Sequence, residues 1–239
     1  MKRALVTGGS GGLGAAICKR LARDGHHVYV HANRGMEAAA AIVGEISAAG
    51  GSAQTVGFDV ADGDATRVVL EDVLKAGPIQ ILVNNAGIHA DAVFPAMSPD
   101  QWHRVINTSL HGFFNVTQPL MMSMIRTRWG RIVNMSSITA LTGNRGQVNY
   151  GAAKGALIAA TKSLALEVAS RGITVNAIAP GIIATPMSES VFDDETIARL
   201  VPMKRAGIPA EVAGLVAYLV SDEAAYVTSQ VISINGGMI

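Results

Sequence analysis

Cysteine, aromatic residues and charge are all scarce in this sequence of 239 residues. Cys18 is the single cysteine, which excludes an internal disulfide and predicts a reducing, cytoplasmic setting. Charged residues make up 15% and the net charge is +1, so no basic field for nucleic acid is present. No apolar run reaches the roughly 18 residues of a membrane span, and the stretch after Met1 is too short for a signal peptide. No metal site is predicted.

Hydrophobic residues, at 49%, are plentiful enough for one large core. Short runs rich in Val and Ile alternate with helical patterns, which indicates a parallel sheet covered on both faces. The predicted strands are 5–6, 28–30, 53–58, 79–83, 131–135, 173–178 and 230–234, and the predicted helices are 12–23, 36–48, 62–74 and 150–170. This alternation predicts an α/β fold, a doubly wound parallel sheet of the Rossmann type, in one domain over residues 1–239.

A glycine-rich turn, TGGSGGLG at residues 7–14, follows the first predicted strand and opens the first helix. It fits two spacings, Gly9-x-Gly11-x-x-Gly14 and the wider Gly8-x-x-x-Gly12-x-Gly14. Both let backbone N–H groups approach a diphosphate at a helix N-terminus, and a plain glycine turn is the alternative. The position in the first βα turn favours nucleotide binding.

The residues after the second and third strands bear on the choice of nucleotide. NAD sites place Asp or Glu after the second strand, whereas this chain has His31-Ala32-Asn33-Arg34 and no acid before Glu37. Arg34 could pair with a 2′-phosphate or be an ordinary solvated arginine, and we favour NADP. Asp59 and Val60 end the third strand. Asp59 could accept from an adenine amino group or cap the helix that follows.

Ser137, Tyr150 and Lys154 are the most informative constellation in the chain. Tyr150 and Lys154, four residues apart, would share one face of a helix. A free tyrosine titrates at about pH 10, and a cation beside the phenolate lowers that pKa. A serine hydroxyl nearby could polarise a carbonyl or hold an alcohol. The trio suits moving a proton on or off a carbon-bound oxygen, although such Tyr–Lys pairs also recur by chance.

These motifs together resemble the short-chain dehydrogenase/reductase family and, within it, the 3-oxoacyl-[acyl-carrier-protein] reductases. They occur in the family's order over essentially the whole chain: the glycine turn, Asn84-Asn85-Ala86-Gly87, Ser137, Tyr150-x-x-x-Lys154 and Pro180-Gly181. The resemblance implies NADPH-dependent reduction of a 3-oxoacyl thioester, bound to acyl carrier protein, in fatty-acid-like synthesis. The alternatives are a dehydrogenase of the same family acting on acyl-CoA, a sugar, a steroid or another alcohol, and a non-catalytic nucleotide-binding partner subunit.

The resemblance also implies a role for each site residue. Ser137 would bind the keto oxygen, Tyr150 would donate the proton, and Lys154 would hold the nicotinamide ribose and lower the pKa of the tyrosine. The implied cofactor-binding residues are Gly8, Ser10, Gly12, Leu13, Gly14, Arg34, Asp59, Val60, Asn85, Ala86, Gly87, Tyr150, Lys154, Pro180, Gly181, Ile183 and Thr185.

Three surfaces are expected beyond the catalytic trio. Arg128 and Arg171 would meet the acidic carrier protein, or be solvated. The segment 185–205 would form an apolar lid over the substrate through Met187, Val191, Phe192, Leu200 and Met203. The two long helices and the last strand would build a homotetramer.

The chain departs from the family pattern at two positions. The family usually has a catalytic asparagine that marks a helix kink whose carbonyl holds a water leading to the lysine, and Ser109 stands there. Asn107 lies about 200° round the helix and cannot substitute. We expect Ser109 to keep the kink, by bonding to the carbonyl four residues back, and to keep the proton relay. Gly11 stands where the carrier-protein reductases often have arginine, which leaves Arg34 as the main phosphate candidate.

Overall fold

Seven parallel strands form one sheet in the computed structural model, which describes residues 1–185 and 193–239. The strands are β1 (Arg3–Val6), β2 (His27–Ala32), β3 (Ser52–Gly57), β4 (Ile81–Asn84), β5 (Gly130–Met135), β6 (Ile173–Pro180) and β7 (Val231–Ile234). Their order across the sheet is β3-β2-β1-β4-β5-β6-β7. The predicted doubly wound parallel sheet is confirmed.

Helices cover both faces of this sheet. They are α1 (Gly12–Arg23), α2 (Met36–Ala48), α3 (Gly63–Lys75), α4 (Pro99–Ile106), α5 (Gly112–Thr127), α6 (Thr139–Thr142), α7 (Val148–Val168), α8 (Asp194–Leu200) and α9 (Pro209–Val220). Short 3₁₀ turns occupy Phe94–Ala96 and Ala169–Arg171, and a π-helical segment, Asn107–His111, joins α4 to α5. The predicted helices lie within two residues of α1, α2, α3 and α7, whereas no bounds were predicted for the other five helices. Within the described residues, no helix combines the length and the apolar character that crossing a membrane requires.

The core lies in two layers because the Val- and Ile-rich strands bury both of their faces. One layer packs α1, α2 and α9 on the sheet through residues such as Ile17, Ile42 and Val216. The other packs α3, α5 and α7 through residues such as Leu70 and Leu120. Strands β4 and β5 are buried along their whole length, as expected for central parallel strands.

The strand order reverses between β1 and β4, which are neighbours although they are far apart in the chain. In such sheets a ligand binds in the crevice outside the carboxyl ends of the strands, at this switch point. The glycine turn follows β1 and the segment Asn85–Gly87 follows β4, so both reach this crevice. Ser137 follows β5 and comes to the same edge.

A row of buried polar side chains crosses the sheet just below that edge. Asn84 Nδ2 donates to Asn134 Oδ1 at 2.8 Å and to Thr117 Oγ1 at 3.0 Å. Asn134 Nδ2 donates in turn to Thr161 Oγ1 at 2.8 Å, and the Thr161 hydroxyl donates to the Leu157 carbonyl at 2.7 Å. The row therefore connects β4, β5, α5 and α7 through hydrogen bonds that satisfy otherwise costly buried amides.

Candidate active site and cofactor site

The glycine turn has the geometry that a dinucleotide requires. Gly8 has a φ of +62°, which L side chains rarely adopt, and a Cβ on Gly14 would collide with the Gly8 carbonyl oxygen. Helix α1 begins at Gly12, and its first N–H groups have no side-chain cap from any described residue. Those N–H groups and the positive end of the helix dipole suit a diphosphate. The residues present therefore fit the implied nucleotide.

Two pairs of hydrogen bonds connect this turn to the end of β4. The buried Thr7 hydroxyl accepts hydrogen bonds from the backbone N–H groups of Asn85 and Ala86, at 2.9 and 3.0 Å. The Asn85 amide donates to the carbonyl oxygens of Thr7 and Gly8, at 2.9 and 3.1 Å. Both N–H groups of this amide are thus used inside the protein. Asn85 therefore shapes the turn, while its amide oxygen is not used by these two bonds.

His31 supports the turn from behind and was not predicted as a site residue. Its Nδ1 accepts from the Gly8 N–H at 3.0 Å, and its Nε2 donates to the Phe58 carbonyl at 3.0 Å. Burial lowers the pKa of His31 to about 4, so the ring is neutral at pH 7 and Nδ1 is free to accept. The signal in the sequence for this contact was a histidine near the end of a buried strand. The structure places the end of that strand beside the turn.

The loop after β2 brings Arg34 to the outside of the turn. Arg34 is exposed, and its neighbour Gly35 lies against Ser10, whose Oγ is 3.3 Å from the place of a Gly35 Cβ. Ser10 and Arg34 therefore sit on adjoining loops. The side chain of Leu13, on the first turn of α1, packs against the hydrophobic core.

The residues after β3 exclude one of the two roles suggested for Asp59. Asp62, not Asp59, caps α3 by accepting from the Ala65 N–H at 3.0 Å. Asp59 Oδ1 accepts from the Ala61 N–H at 2.9 Å and is otherwise exposed. The capping role suggested for Asp59 is therefore wrong, because the helix begins one turn later. Val60 is buried, and its carbonyl accepts from Asn115 of α5.

The three predicted catalytic residues lie at the ends of β5 and α7. Tyr150 and Lys154 share a face of α7, with Lys154 Nζ 5.6 Å from the centre of the Tyr150 ring. Ser137 follows β5, and its Oγ accepts from the Thr139 N–H at 3.1 Å. The preceding residue, Ser136, donates to the Lys154 carbonyl at 2.9 Å and so fixes α7 against β5. The structure brings the trio together as predicted.

The electrostatics of the trio differ from the sequence-based expectation. Lys154 is 3% exposed, and its ammonium donates to the Met135 carbonyl at 2.7 Å. Burial lowers the pKa of Lys154 to about 8. Burial also raises the pKa of Tyr150 to about 12, with the Ser137 hydrogen bond lowering it and Asp91 raising it. The pKa of Tyr150 is therefore raised in this structure and not lowered as predicted, because desolvation of the phenolate outweighs the hydrogen bond from Ser137.

Ser109 lies in the π-helical segment, so the expected kink is present at the expected residue. The Gly112 N–H donates to the Asn107 carbonyl, five residues earlier, as a π-helix requires. The predicted cause is wrong: Ser109 Oγ is buried and has no hydrogen-bond partner among the described residues, so it does not bond to the carbonyl four residues back. Ser109 Oγ and Lys154 Nζ lie 3.7 and 3.2 Å from the place of a Gly87 Cβ. The hydroxyl thus faces the lysine side of the site.

A polar cluster around Tyr150 was missed by sequence reasoning. The buried Asn149 amide donates to the carbonyls of Ala90 and Gln101, at 2.9 and 3.1 Å, and so holds the loop after β4 and helix α4 against α7. On that loop, His89 stacks on the Tyr150 ring with the ring centres 4.1 Å apart. The signal in the sequence was that polar residues follow Asn84-Asn85-Ala86-Gly87, at His89 and Asp91, and precede Tyr150, at Gln147 and Asn149.

The segment after β6 is held on the side of the trio. The Ile138 N–H donates to the Pro180 carbonyl, and the Gly181 N–H to the Ile234 carbonyl, each at 2.9 Å. Ile183 pairs with Gly207 in an isolated bridge, and Thr185 ends the described part of this segment.

The predicted lid is only partly described. Met187, Val191 and Phe192 lie outside the described residues. Leu200 and Met203 are exposed, so their apolar surfaces are free to cover a ligand.

An apolar surface pocket of about 280 Å³ lies at the start of α4 and was not predicted. It is lined by Phe94, Met97, Ser98, Pro99 and Trp102. Asn149 connects α4, which lines this pocket, to α7 by donating a hydrogen bond to the Gln101 carbonyl.

Comparison with known proteins agrees with this geometry. The family described as short chain dehydrogenase matches residues 2–196. The chain belongs to the short-chain dehydrogenase family. It is 46% identical over 240 residues to nodulation protein G of Azospirillum brasilense, with 99% of this chain and 98% of that protein covered. It is 44% identical over 236 residues to the 3-oxoacyl-[acyl-carrier-protein] reductase FabG of Aggregatibacter actinomycetemcomitans, with 98% of each chain covered. The FabG of Staphylococcus aureus strain Mu50 is 43% identical over 240 residues, with 99% of this chain and 98% of that protein covered.

For this short-chain dehydrogenase, the two predicted carrier-binding arginines lie far from the trio within one chain. Arg128 precedes β5 and Arg171 precedes β6, so both are at the amino edge of the sheet, opposite Ser137. They are close to each other, because Arg128 donates to the Ser170 carbonyl at 3.1 Å. Six residues of β5, about 20 Å, separate them from the catalytic edge.

Proposed function

We propose that this protein is an NADPH-dependent reductase that converts a 3-oxoacyl thioester, carried on acyl carrier protein, to the 3-hydroxyacyl form. The observation that carries the proposal is the placing of Ser137, Tyr150 and Lys154 beside the glycine turn, on one edge of the sheet. Family membership supports oxidoreductase chemistry, and the names of the FabG relatives support the substrate.

The bound nicotinamide would supply the hydride for the keto carbon. Ser137 Oγ accepts the Thr139 N–H, which leaves its own O–H to donate. In the free protein this hydroxyl bonds to Tyr150, and with substrate bound it would donate to the keto oxygen. Tyr150, with a pKa raised to about 12 by burial, is a neutral phenol at pH 7 and can give its proton to that oxygen. Both groups are thus donors, as reduction of a carbonyl requires.

Lys154 and Ser109 complete the proposed proton path. The Lys154 ammonium would hold the nicotinamide ribose and stabilise the phenolate as Tyr150 loses its proton. Ser109, unpaired among the described residues and facing the lysine side, would continue the relay in place of an asparagine. The cofactor's diphosphate would lie on the glycine turn, and Arg34 would meet a 2′-phosphate, which supports NADP over NAD.

The remaining parts of the proposal concern partners and setting. Arg128 and Arg171 would dock the acidic carrier protein. Exposed apolar side chains on α5 and α7, such as Phe114 and Leu166, at 63% and 82% exposure, support a homotetramer built on these helices. Residues 1–239 would act as one domain, in the cytoplasm, where a free buried Cys18 stays reduced.

The deciding experiment measures oxidation of NADPH and NADH with 3-oxoacyl groups of several lengths, each offered on carrier protein and on CoA. We expect turnover with NADPH and the carrier-bound substrate, and a loss on the order of 10²–10⁴ in Tyr150→Phe. Preference for the CoA thioester would replace the carrier protein in the proposal. No oxidation with any thioester would overturn the proposed activity.

A further inference from the structure

His89 occupies a place that the proposed mechanism does not yet use. Its ring stacks on the phenol of Tyr150, with ring centres 4.1 Å apart and planes inclined by 25°. The loop that carries it is fixed to α7, because Asn149 donates to the Ala90 carbonyl and the Ala92 N–H donates to the Gly146 carbonyl, each at 2.9 Å. The imidazole is therefore held in contact with the group that delivers the proton.

The hydrogen bonds of Gln147 determine which nitrogen of His89 carries the proton. Asp91 Oδ2 is 2.8 Å from Gln147 Nε2, and an ionised carboxylate can only accept, so the amide nitrogen must face Asp91. The amide oxygen accepts from Asn144 Nδ2 at 2.9 Å and from Thr139 Oγ1 at 3.3 Å, which fixes the same orientation.

The same amide nitrogen lies 3.3 Å from His89 Nδ1 and donates to it. Burial lowers the pKa of His89, and the Lys154 ammonium lowers it as well, against Asp91, which raises it. The ring is therefore neutral at pH 7, with Nδ1 as acceptor and its single proton on Nε2. Within residues 1–185 and 193–239, no group accepts a hydrogen bond from Nε2.

We propose that His89 is a specificity residue, whose Nε2–H donates to the thioester carbonyl of a 3-oxoacyl substrate while Ser137 and Tyr150 hold the keto oxygen. The inference rests on the proposed function. The keto and thioester carbonyls of such a substrate are separated by a single methylene. Their donors would be equally close together, because the rings of Tyr150 and His89 are in contact. The His89 side chain is 35% exposed, so a substrate can reach it. His89 would thereby recognise an oxygen three bonds from the reacting carbon, and a simple ketone has no such oxygen.

The test compares two substrates in two variants that lack the donor. His89→Phe keeps an aromatic ring on Tyr150, and His89→Leu keeps apolar bulk. The measured quantity is the ratio of kcat/KM for a 3-oxoacyl thioester to kcat/KM for a monoketone such as cyclohexanone. Any change in the placing of Tyr150 affects both substrates and cancels in this ratio. His103→Phe, on the exposed face of α4, is the matched control.

We expect both His89 variants to lower the ratio by about tenfold, the effect of one hydrogen bond, and His103→Phe to leave it unchanged. An unchanged ratio in a folded variant, whatever happens to the separate rates, would overturn the role of His89. The wild-type protein separates this result from a failure of the proposed function. If it reduces the thioester, only the inference is lost; if it reduces no thioester, the proposed function fails and this role with it.

Discussion

The Lys154 ammonium donates a hydrogen bond to the Met135 carbonyl oxygen, and almost no solvent reaches it. A buried cation is thus held at the carboxyl end of β5 by one backbone dipole. Such a group costs desolvation free energy, which its one hydrogen bond to the described residues only partly offsets. The fold tolerates this cost at the point where the proposed chemistry needs a cation.

Replacing this lysine should separate stability from activity. Burial lowers the pKa of Lys154 to about 8, from 10.5 in the unfolded chain. Between these values the unfolded state binds more protons, so the free energy of unfolding should rise with pH, by up to about 3 kcal/mol. Lys154→Met should lack this rise, be at least as stable at pH 7, and lose reduction activity. Urea unfolding at pH 7 and 10 measures this, and identical pH dependence in both proteins would contradict it.

Ser109 should act through its hydroxyl without supporting the fold. The hydroxyl has no protein partner among the described residues, so Ser109→Ala should leave the melting temperature unchanged. It should lower kcat by about tenfold, the effect of one lost hydrogen bond. Ser109→Asn should change kcat by less than this. A large gain in turnover for Ser109→Asn would show that serine does not suffice at the π-helical segment.

Arg34 should discriminate between the two nicotinamide cofactors. Loss of a charged hydrogen bond to a 2′-phosphate corresponds to about tenfold or more in binding. Arg34→Ala should therefore raise KM for NADPH by that factor and leave KM for NADH nearly unchanged. Arg23→Ala, an exposed arginine at the far end of α1, is the control. Equal effects of Arg34→Ala on both cofactors would remove it from this role.

His31 should make the stability sensitive to mild acid. Burial lowers the pKa of His31 to about 4, from 6.5 in the unfolded chain. As pH falls from 6.5 toward 4, the unfolded state takes up a proton that the folded state refuses, so the free energy of unfolding falls. Between pH 7.5 and 5 the loss attributable to His31 is about 2 kcal/mol. Denaturant unfolding should show this loss in the wild type and in His103→Gln, and a smaller loss in His31→Gln. A wild-type-sized loss in His31→Gln would rule it out.

Breaking the polar row should cost more than removing it. Asn134→Leu leaves Thr161 without its donor and Asn84 without its acceptor in a buried place, which costs about 2–4 kcal/mol. Replacing all four side chains of the row, as Asn84→Leu, Thr117→Val, Asn134→Leu and Thr161→Val, should recover most of that loss, because no orphaned partner remains. Thermal unfolding checks both, and a quadruple variant less stable than Asn134→Leu would contradict the reasoning.

The sheet and the catalytic trio could be predicted from the sequence because the patterns that indicate them are local. Runs of Val and Ile mark strands buried on both faces, and four-residue spacing places Tyr150 and Lys154 on one face of a helix. The tyrosine pKa was misjudged because its burial depends on His89 and on other residues distant in sequence. The sequence also did not predict the contact of His31 with Gly8 or the distance of Arg128 and Arg171 from the catalytic edge. Each depends on how the strands are ordered, which periodicity does not encode.

The row from Asn84 to Thr161 has a consequence for how the strands find their alignment. Central strands that are apolar on both faces would lose little hydrophobic burial in a pairing shifted by one or two residues. Asn84 and Asn134 are opposite each other in the native pairing of β4 with β5. Any shift would break the hydrogen bond from Asn84 to Asn134 and leave its buried amide groups unmatched, at a cost of about 1–3 kcal/mol. The two asparagines thus disfavour shifted pairings of β4 with β5. They thereby help to fix the position of the sheet edge that carries Ser137.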